Sequence, residues 1–456
     1  MLIFDKIQLL RLNLTNHLPM TNCTPAQIEF PPLKRRKIDA QFSGGAITSD
    51  GGVLLLRAVD RQLGLTERIA AQIPDARDPD RVQHQVVDLL RQRVYGLACG
   101  YEDLNDHDTL RNDIAFQTAV EKDRVLGSRS TLCRFEQQAD RDLMWQVHEE
   151  LLAQFIASYE TPPTSLTLDF DATDDPVHGE QDGRFFHGYY RHYCFLPLYV
   201  LCGHHCLVSY LRPSNIDGAK HSWAILALLV KRLRKVWPDV EITFRGDGGF
   251  CRHKMLTWCE RHRVNYIVGL AKNPRLKRLS QPWIEQARTQ HETEQTKQRV
   301  FTELHYKAGT WKRRRRVILK AEHMRQGSNP RYVVTNLDGD AQTLYETVYC
   351  ARGEMENRIK EQQLDLFADR TSCSLWWPNQ FRLLLSTLAY TLIHAIRRIA
   401  LPHTELAQAT CASIRLKLFK IGAVVIRNTR RIRLLLSSQY PFQSLFQSVC
   451  QRLCPD

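Results

Sequence analysis

The sequence predicts an α/β protein that begins with helices, continues through a strand-rich middle and ends in a basic region. Residues 80–98 and 130–156 repeat apolar side chains at helical spacing, which predicts two long helices near the start. Residues 165–171 instead alternate apolar and polar side chains, as a strand with one buried face does. Residues 406–455 contain many Arg and Lys but no Asp or Glu, so this part of the chain is strongly basic.

Size, charge and cysteine content narrow the class of protein. The 456 residues are enough for several domains with ample core. A net charge of +14 indicates a polyanionic partner, most simply nucleic acid. The 13 cysteines are scattered rather than arranged as a disulfide framework, which is typical of reduced thiols in the cytosol. We therefore expect a cytoplasmic protein.

Neither a secretory signal nor a membrane partner is expected. The opening residues include Asp5 and lack a continuous apolar stretch. The longest apolar run, 383–396, contains Ser, Thr and His and is shorter than the roughly 18 residues that cross a bilayer. This run therefore predicts a buried helix. Met20 begins a more typical start, which makes residues 1–19 a candidate upstream extension of the reading frame.

The middle of the chain predicts a sheet with acids at one edge. Strands are expected at 165–171, 185–193, 196–202, 206–211, 240–244 and 266–270, with helices at 217–237 and 253–263. Asp169 and Asp171 share the polar face of the first strand. Asp247 lies just past the end of a later strand, where open α/β sheets place their sites. The order of these elements is that of an RNase H-like core, in which acids on the first and fourth strands meet.

A helix is predicted at 349–366, where good helix formers follow Gly353 without a break. One face of this helix is polar and consists of Tyr349, Arg352, Glu356, Lys360 and Gln363. The apolar stripe beside it, which docks the helix on a core, consists of Met355, Ile359 and Leu366. Glu356 is placed to supply a third acid, whereas Glu354 and Glu361 are expected to face solvent.

Between the last predicted strand and this helix lies a basic insertion. Short strands are expected around the block 311–316, which is Trp311 followed by five cations. This block favours a hairpin that grips phosphates, through Arg313, Arg314 and Arg315 in particular. The alternative is a solvated edge strand, because Lys and Arg also protect sheet edges from pairing.

Three carboxylates brought together repel one another, and a divalent cation relieves this repulsion. Carboxylate oxygens together with water and phosphate select Mg²⁺ or Mn²⁺. Two such ions can activate an attacking oxygen and stabilise the leaving oxygen of a phosphodiester. Asp171, Asp247 and Glu356 are therefore the candidate catalytic and metal-binding residues. Asp169, on the same face of the strand, is the alternative to Asp171, and Asp174 and Asp175 are interpreted as loop acids.

Several motifs together resemble a known family. Tyr349-x2-Arg352-x3-Glu356 resembles the signature helix of bacterial insertion-sequence DDE transposases of the hairpin-forming, cut-and-paste superfamily. Asp171-Ala-Thr173 is similar to that family's D-G-T strand motif, which favours Asp171 over Asp169, and the stretch 245–250 resembles its second-Asp motif. The blocks LDFDAT, HGYYRHYCFLPLY, RGDGGF and RGEMENRIKE look like the insertion-sequence family numbered thirteen-eighty. The resemblance covers nearly the whole chain from about residue 24.

The resemblance implies a transposase that excises its element, by way of hairpin ends, and joins the 3′ ends to target DNA. It implies Asp171, Asp247 and Glu356 as metal ligands, and phosphate contacts for Tyr349 and Arg352. The expected partners are double-stranded DNA with terminal inverted repeats, target DNA and a second copy in a synaptic homodimer. The expected location is bacterial and nucleoid-associated. Trp311 could stack on a flipped base near the cleaved end, as tryptophans of related insertions do.

One position departs from the family pattern. The family helix commonly carries Lys seven residues after the Glu, but Gln363 stands there in this chain. Lys360, on the same face, is the candidate replacement. Two alternatives follow: a nuclease or resolvase without strand transfer, and a DNA-binding protein whose catalysis is weakened or lost.

The predicted fold class is thus α/β, with an RNase H-like catalytic core interrupted by a β-rich insertion, an all-α N-terminal domain and a basic C-terminal region. The expected regions are a mostly helical DNA-binding domain (1–160), the first part of the core (161–271), the β-rich basic insertion (272–340), the final helices of the core (341–400) and a basic region for DNA binding or synapsis (401–456). The first region is a candidate to hold a helix-turn-helix, and its segment 127–136, with Arg129 and Arg134 beside a helix start, suits phosphate or base contacts. The stretch 31–37 is either a solvated linker or a phosphate-contacting arm.

Overall fold

The computed structural model describes residues 27–454, so the interpretation of residues 1–19 lies outside the described part of the chain. The described part opens with an exposed antiparallel hairpin of β1 (Ile28–Leu33) and β2 (Arg36–Ala40). The basic stretch 31–37 is therefore strand and turn, and the prediction of a linker is wrong. Because strand residues alternate in direction, this short hairpin projects its basic side chains on both faces.

Seven helices follow the short strand β3 (Ile47–Thr48). They are α1 (Leu54–Leu63), α2 (Leu65–Ala70), α3 (Val86–Ala98), α4 (His107–Leu110), α5 (Ile114–Ala119), α6 (Arg129–Gln137) and α7 (Arg141–Ala157). The helix predicted at 130–156 is in fact two, α6 and α7. Asp140 interrupts it, because its carboxylate accepts a hydrogen bond from the Leu143 amide at 2.9 Å and caps α7. Ser128, rather than Ser130, caps α6.

The middle of the chain contains twelve strands in two sheets. They are β4 (Ser165–Ala172), β5 (Asp175–Pro176), β6 (Phe185–His187), β7 (His192–Phe195), β8 (Leu198–Cys202), β9 (His205–Tyr210), β10 (Glu241–Gly246), β11 (Asn265–Leu270), β12 (Gln298–Tyr306), β13 (Arg315–Met324), β14 (Gly327–Ser328) and β15 (Arg331–Thr335). The large sheet has nine strands in the order β12-β13-β15-β11-β10-β4-β8-β9, with β14 beside β13. Strands β4, β10 and β11 are parallel, whereas β8, β9 and β15 are antiparallel to their neighbours.

The strand predicted at 185–193 does not belong to the large sheet. It is a hairpin of β6 and β7, which pairs with β5 in a small separate sheet. The insertion strands β15, β13 and β12 continue the large sheet beyond β11. The insertion is therefore rich in strands, as predicted, and forms one edge of that sheet.

Three helices connect the strands of the large sheet, namely α8 (Ser222–Val236), α9 (His253–Arg261) and α10 (Pro274–Glu294). The apolar face of β4, formed by Leu166, Leu168 and Phe170, is buried in the core that these helices share. The alternation in the sequence of β4 therefore predicted its buried face correctly.

The segment predicted as a helix at 349–366 belongs to a longer helical run, 341–365. It consists of α11 (Ala341–Thr343), a π-helical stretch (Leu344–Tyr349), a 3₁₀ turn (Cys350–Arg352), α12 (Gly353–Lys360) and a second π-helical stretch (Glu361–Asp365). Such π-helical turns, which widen the helix locally, are frequent at functional sites. The predicted apolar stripe is buried, with Met355 at 1%, Ile359 at 4% and Leu366 at 0% exposure.

The last part of the described chain packs on the first. Its elements are α13 (Trp376–Ala400), α14 (Cys411–Ile414), β16 (Ala423–Arg427), β17 (Ile432–Leu436) and α15 (Gln443–Leu453). Residues of α1–α7, α13 and α15 share one apolar core, and β3 pairs with β16. Helix α13 is long and apolar enough to cross a membrane, but 83% of its most apolar window is buried inside the protein. It is thus the buried helix that the run 383–396 predicts.

Candidate active site

Two neighbouring parallel strands bring the first two predicted acids to the same level. In the pairing of β4 with β10, Asp169 lies opposite Arg245 and Phe170 opposite Gly246. Continuing this register by one residue sets Asp247 opposite Asp171. The Asp247 carboxylate accepts a hydrogen bond from the Gly249 amide at 2.8 Å, which turns the chain away from the sheet. Both acids thus lie at the carboxyl ends of adjacent strands.

Arg352 links the third predicted acid to the first. Its Nη1 lies 3.3 Å from Asp171 Oδ2, and its Nη2 lies 2.6 Å from Glu356 Oε1. The side chain of Asp171 is 18% exposed, whereas that of Glu356 is 43% exposed. Glu356 therefore lies at the mouth of the site and Asp171 at its floor.

The surroundings of the Asp171 carboxyl group favour its neutral form. Burial raises its pKa to about 7, although the Arg352 guanidinium opposes this rise. The negative charges of Asp247 and Glu356 add to it, since each disfavours a further charge nearby. The three predicted acids therefore share one electrostatic environment.

Tyr349 lies beside the loop that carries Asp247. A Cβ at Gly269, in β11, would lie 2.8 Å from the Tyr349 hydroxyl oxygen and 2.7 Å from the Gly248 nitrogen. Glycine is therefore required at 269 for the tyrosine and the loop to approach the sheet this closely. Burial raises the pKa of Tyr349, the charge of Arg352 lowers it, and Asp247 raises it further.

Asp169, the alternative to Asp171, is engaged elsewhere. It is 3% exposed, and the Arg245 guanidinium donates to both of its oxygens, at 2.5 and 2.7 Å. Arg245 also donates to the carbonyl oxygen of Val348, so this pair ties β4 and β10 to the helical run. From the sequence alone, Arg245 has no role beyond its place in a motif. An arginine two positions before Asp247, opposite a second acid on β4, was the available signal.

Asp174 and Asp175, which follow β4, both lie against other parts of the protein. Asp174 lies 2.9 Å from His192 Nε2, and its carbonyl oxygen accepts a hydrogen bond from Gln363 Nε2 at 3.0 Å. Gln363 therefore ties the helical run to the chain that follows β4. Asp175 is 1% exposed within β5, so its interpretation as a loop acid is wrong. Burial raises its pKa well above the usual range.

Glu361 does not face solvent, and that prediction is also wrong. It is 4% exposed and lies 2.8 Å from Arg397 Nη2, on α13. Arg358 Nη1 lies 2.5 Å from its other oxygen. The amide and thiol of Cys411 both donate to Glu361 Oε2 at 3.0 Å. Lys360, by contrast, is exposed, as is Glu354.

The basic block of the insertion is only partly exposed. Trp311 is 4% exposed, with its ring centroid 5.6 Å from that of Tyr306. Arg315 is also 4% exposed, packs over the Trp311 ring and lies 2.7 Å from Glu260 Oε1. In this conformation neither residue is accessible to DNA. Arg313, which pairs with Glu260 at 2.6 Å, and Arg314 are exposed.

The donor set fits a hard divalent cation, because it consists of carboxylate oxygens, which are the ligands that Mg²⁺ and Mn²⁺ prefer. The carboxylates are not drawn together around a single point. Within residues 27–454, no group of three or more His, Cys, Asp or Glu is close enough to hold a metal ion. Arg352 instead lies between Asp171 and Glu356 and pairs with both.

Comparison with known proteins assigns the chain to a class. The family model described as "Transposase DDE domain group 1" matches residues 30–455. This chain belongs to that family of transposases, which confirms the predicted resemblance to DDE transposases. The narrower assignment to the family numbered thirteen-eighty stays a prediction.

Curated proteins and solved structures add little to this assignment. No curated protein matches the chain. Among solved structures it is similar to the piggyBac transposase in a synaptic complex with hairpin DNA, with 13% identity and a TM-score of 0.41. The match covers 81% of this chain and 79% of that one. Identity and TM-score are too low to assign a shared fold.

Proposed function

We propose that this protein is a DNA transposase that cleaves phosphodiester bonds at its element's ends and joins the 3′ ends to target DNA. The observation that carries the proposal is that Asp171 and Asp247 lie at the ends of two adjacent parallel strands, with Arg352 linking Asp171 to Glu356 on α12. The strand order β9-β8-β4-β10-β11 supports an RNase H-like core around them. Family membership supports the same reaction class.

Asp171, Asp247 and Glu356 are proposed to hold divalent cations, Mg²⁺ or Mn²⁺, two in number. When bound, such ions activate the attacking oxygen and stabilise the leaving one. Asp169 serves a different role, because its two oxygens are held by Arg245. This pair positions β4 against β10, and thereby Asp171 against Asp247.

Arg352 is proposed to change partners when DNA binds. In the structure it is the counterion of both Asp171 and Glu356. A phosphate is a strong acceptor for a guanidinium, since the two can form paired charge-assisted hydrogen bonds. Movement of Arg352 to a phosphate would leave the two carboxylates free for cations. Tyr349, beside the Asp247 loop, is proposed to contact the same strand.

The proposed partners are transposon-end DNA with terminal inverted repeats, target DNA and a second copy of the chain in a synaptic homodimer. A net charge of +14 supports the nucleic-acid partner. Among the residues predicted to contact DNA, Lys360, Arg313 and Arg314 are exposed. The helical N-terminal and basic C-terminal regions are proposed to bind DNA as well. The proposed location is the bacterial cytoplasm, at the nucleoid.

The test compares the wild type with Asp247→Asn. Each protein is incubated with Mg²⁺, a target plasmid and duplexes that carry the inverted repeats flanking the gene. The wild type is expected to cleave the repeat ends, form hairpins and join 3′ ends to the plasmid. Loss of a metal ligand removes several kcal/mol of transition-state stabilisation, so Asp247→Asn should be slower by at least about 100-fold. Asp239→Asn, an exposed acid on the connection after α8, is the matched control.

The alternative is an end-binding protein whose catalysis is weakened or lost. Gln363 favours this alternative, because it replaces the Lys of the family pattern. Its side-chain amide also donates a hydrogen bond to the carbonyl oxygen of Asp174. Binding without cleavage by the wild type would establish this alternative. Cleavage without joined products would instead indicate a nuclease or resolvase.

A further inference from the structure

An aromatic hairpin lies next to the candidate site and is not used by the reaction described above. It consists of residues 184–193, that is, most of the β6–β7 hairpin with its turn. Tyr189, at the turn, is 84% exposed, Phe186 is 57% exposed and Tyr193 is 47% exposed. Large rings exposed together on one short hairpin indicate a contact surface.

The base of the aromatic hairpin is fixed to the body of the protein. Phe195, at the end of β7, is fully buried, and its ring centroid lies 5.5 Å from that of Trp376. Gly183 lies so close to Trp376 that a Cβ there would be 2.5 Å from the indole ring. Ser214 donates a hydrogen bond to the carbonyl oxygen of Phe185 at 2.8 Å. The exposed rings are therefore presented from a rigid support.

Contacts of its inner residues place the aromatic hairpin beside Asp171. His192 Nε2 lies 2.9 Å from Asp174 Oδ2, three residues past Asp171. Tyr190 stacks over His192, with ring centroids 6.1 Å apart. Burial raises the pKa of Tyr190 to about 12, and the charges of Asp174 and Asp171 add to the rise. The hairpin thus borders the floor of the candidate site.

The charge on the aromatic hairpin matches a nucleic acid. The Arg184 guanidinium lies 4.6 Å from the centre of the Tyr193 ring, and Arg191 is exposed at the turn. Rings combined with cations are how proteins hold unpaired nucleotides, by stacking on bases and by attracting phosphates. Protein–protein interfaces share this combination of rings and arginines, so the oligomeric mass is the measurement that separates the two kinds of contact.

We infer that the aromatic hairpin binds unpaired nucleotides at the DNA end that lies in the candidate site, with Tyr189 and Phe186 stacking on their bases. This inference rests on the proposed function for the identity of the DNA, but the stacking itself requires no cleavage. Unpaired nucleotides expose the faces that duplex DNA keeps stacked, so the hairpin should discriminate a frayed end from a blunt one.

The test measures this discrimination without metal. Fluorescence polarisation gives the Kd for a blunt duplex and for the same duplex with a short unpaired tail at one end, in EDTA. The wild type is expected to prefer the tailed duplex, and Tyr189→Ala or Phe186→Ala to reduce that preference by about 5- to 100-fold. Tyr189→Phe, which keeps the ring, should retain it. Trp223→Ala, which removes a ring that is 52% exposed on α8, is the matched control.

Three results would overturn the inference: no preference in the wild type, an unchanged preference in both alanine variants, or an equal loss in Trp223→Ala. A change in oligomeric mass with both Kd values unchanged would assign the hairpin to a protein contact and overturn it too. Ring-dependent tail binding in a protein that never cleaves would sustain the inference and reject the proposed reaction. Cleavage without a preference for the tailed duplex would reject the inference and sustain the proposed reaction.

Discussion

Two clusters of arginine and carboxylate lie on different faces of the helical run 341–365, and they differ in burial. Towards the sheet, Arg352 pairs with Glu356, whose side chain is 43% exposed. Towards α13, Glu361 is 4% exposed and pairs with Arg397. The chemical groups are the same in both clusters, but water reaches only the first.

This difference determines which cluster can exchange partners. An exposed ion pair contributes only about 0–1 kcal/mol to stability, since water replaces the lost partner. Removal of one member of a buried pair costs about 3–5 kcal/mol, because the remaining charge has no solvent. Arg352 can therefore exchange its exposed partner, Glu356, for a phosphate at little cost to the fold. The cluster around Glu361 instead holds the helical run against α13 and Cys411.

The largest expected effect is on Glu361. Glu361→Ala should lower the free energy of unfolding by about 3–5 kcal/mol, because it leaves Arg358 and Arg397 buried without their carboxylate. Urea unfolding followed by circular dichroism measures this change. Glu354→Ala, an exposed acid on the same helical run, should change it by less than about 0.5 kcal/mol. Equal effects of the two substitutions would show that the cluster around Glu361 is not buried as described.

A smaller effect concerns Asp171 and pH. Its folded pKa, about 7, lies above the ordinary value of 3.8, so the folded state favours the neutral carboxyl. The resulting stabilisation is complete below pH 3.8 and is lost as pH rises through about 7. Without metal, the wild type should therefore lose about 1–3 kcal/mol more than Asp171→Asn between mildly acidic and mildly alkaline pH.

Mg²⁺ binding provides a second test of the role of Asp171. At alkaline pH, Mg²⁺ should raise the melting temperature of the wild type, because the cation relieves the repulsion among the three carboxylates. It should leave that of Asp171→Asn nearly unchanged. If the melting curves of both proteins responded alike to pH and to Mg²⁺, Asp171 would not be the titrating metal ligand.

The smallest effect concerns Lys360. If it contacts one phosphate, Lys360→Ala should lower the slope of log Kd against log salt concentration by about 0.9. The affinity for transposon-end DNA should fall by up to about 5-fold at moderate salt. Gln363→Lys, which adds a positive charge on the same face, should raise this slope by about the same amount. Lys231→Ala, an exposed lysine on α8, is the control, and a slope that Lys360→Ala leaves unchanged would exclude the contact.

Much of the fold could be predicted because its signals are local. Alternation in 165–171 identified β4 and its buried face, and the helical spacing of Met355, Ile359 and Leu366 identified their buried stripe. The positions of Asp171 and Asp247 at strand ends follow from the same kind of pattern. These features depend on neighbours in the chain, so the sequence alone determined them.

What the sequence could not determine is which surfaces another part of the chain covers. Glu361 was expected in solvent, but α13 and Cys411 cover it, and Trp311 and Arg315 are buried beside Glu260. The 185–193 segment has the composition of a strand, yet it leaves the sheet as a hairpin. Residue type and spacing describe one element at a time. Burial and ion pairing depend on elements distant in sequence, so only the tertiary structure decided which carboxylates face the candidate site and which lie inside the fold.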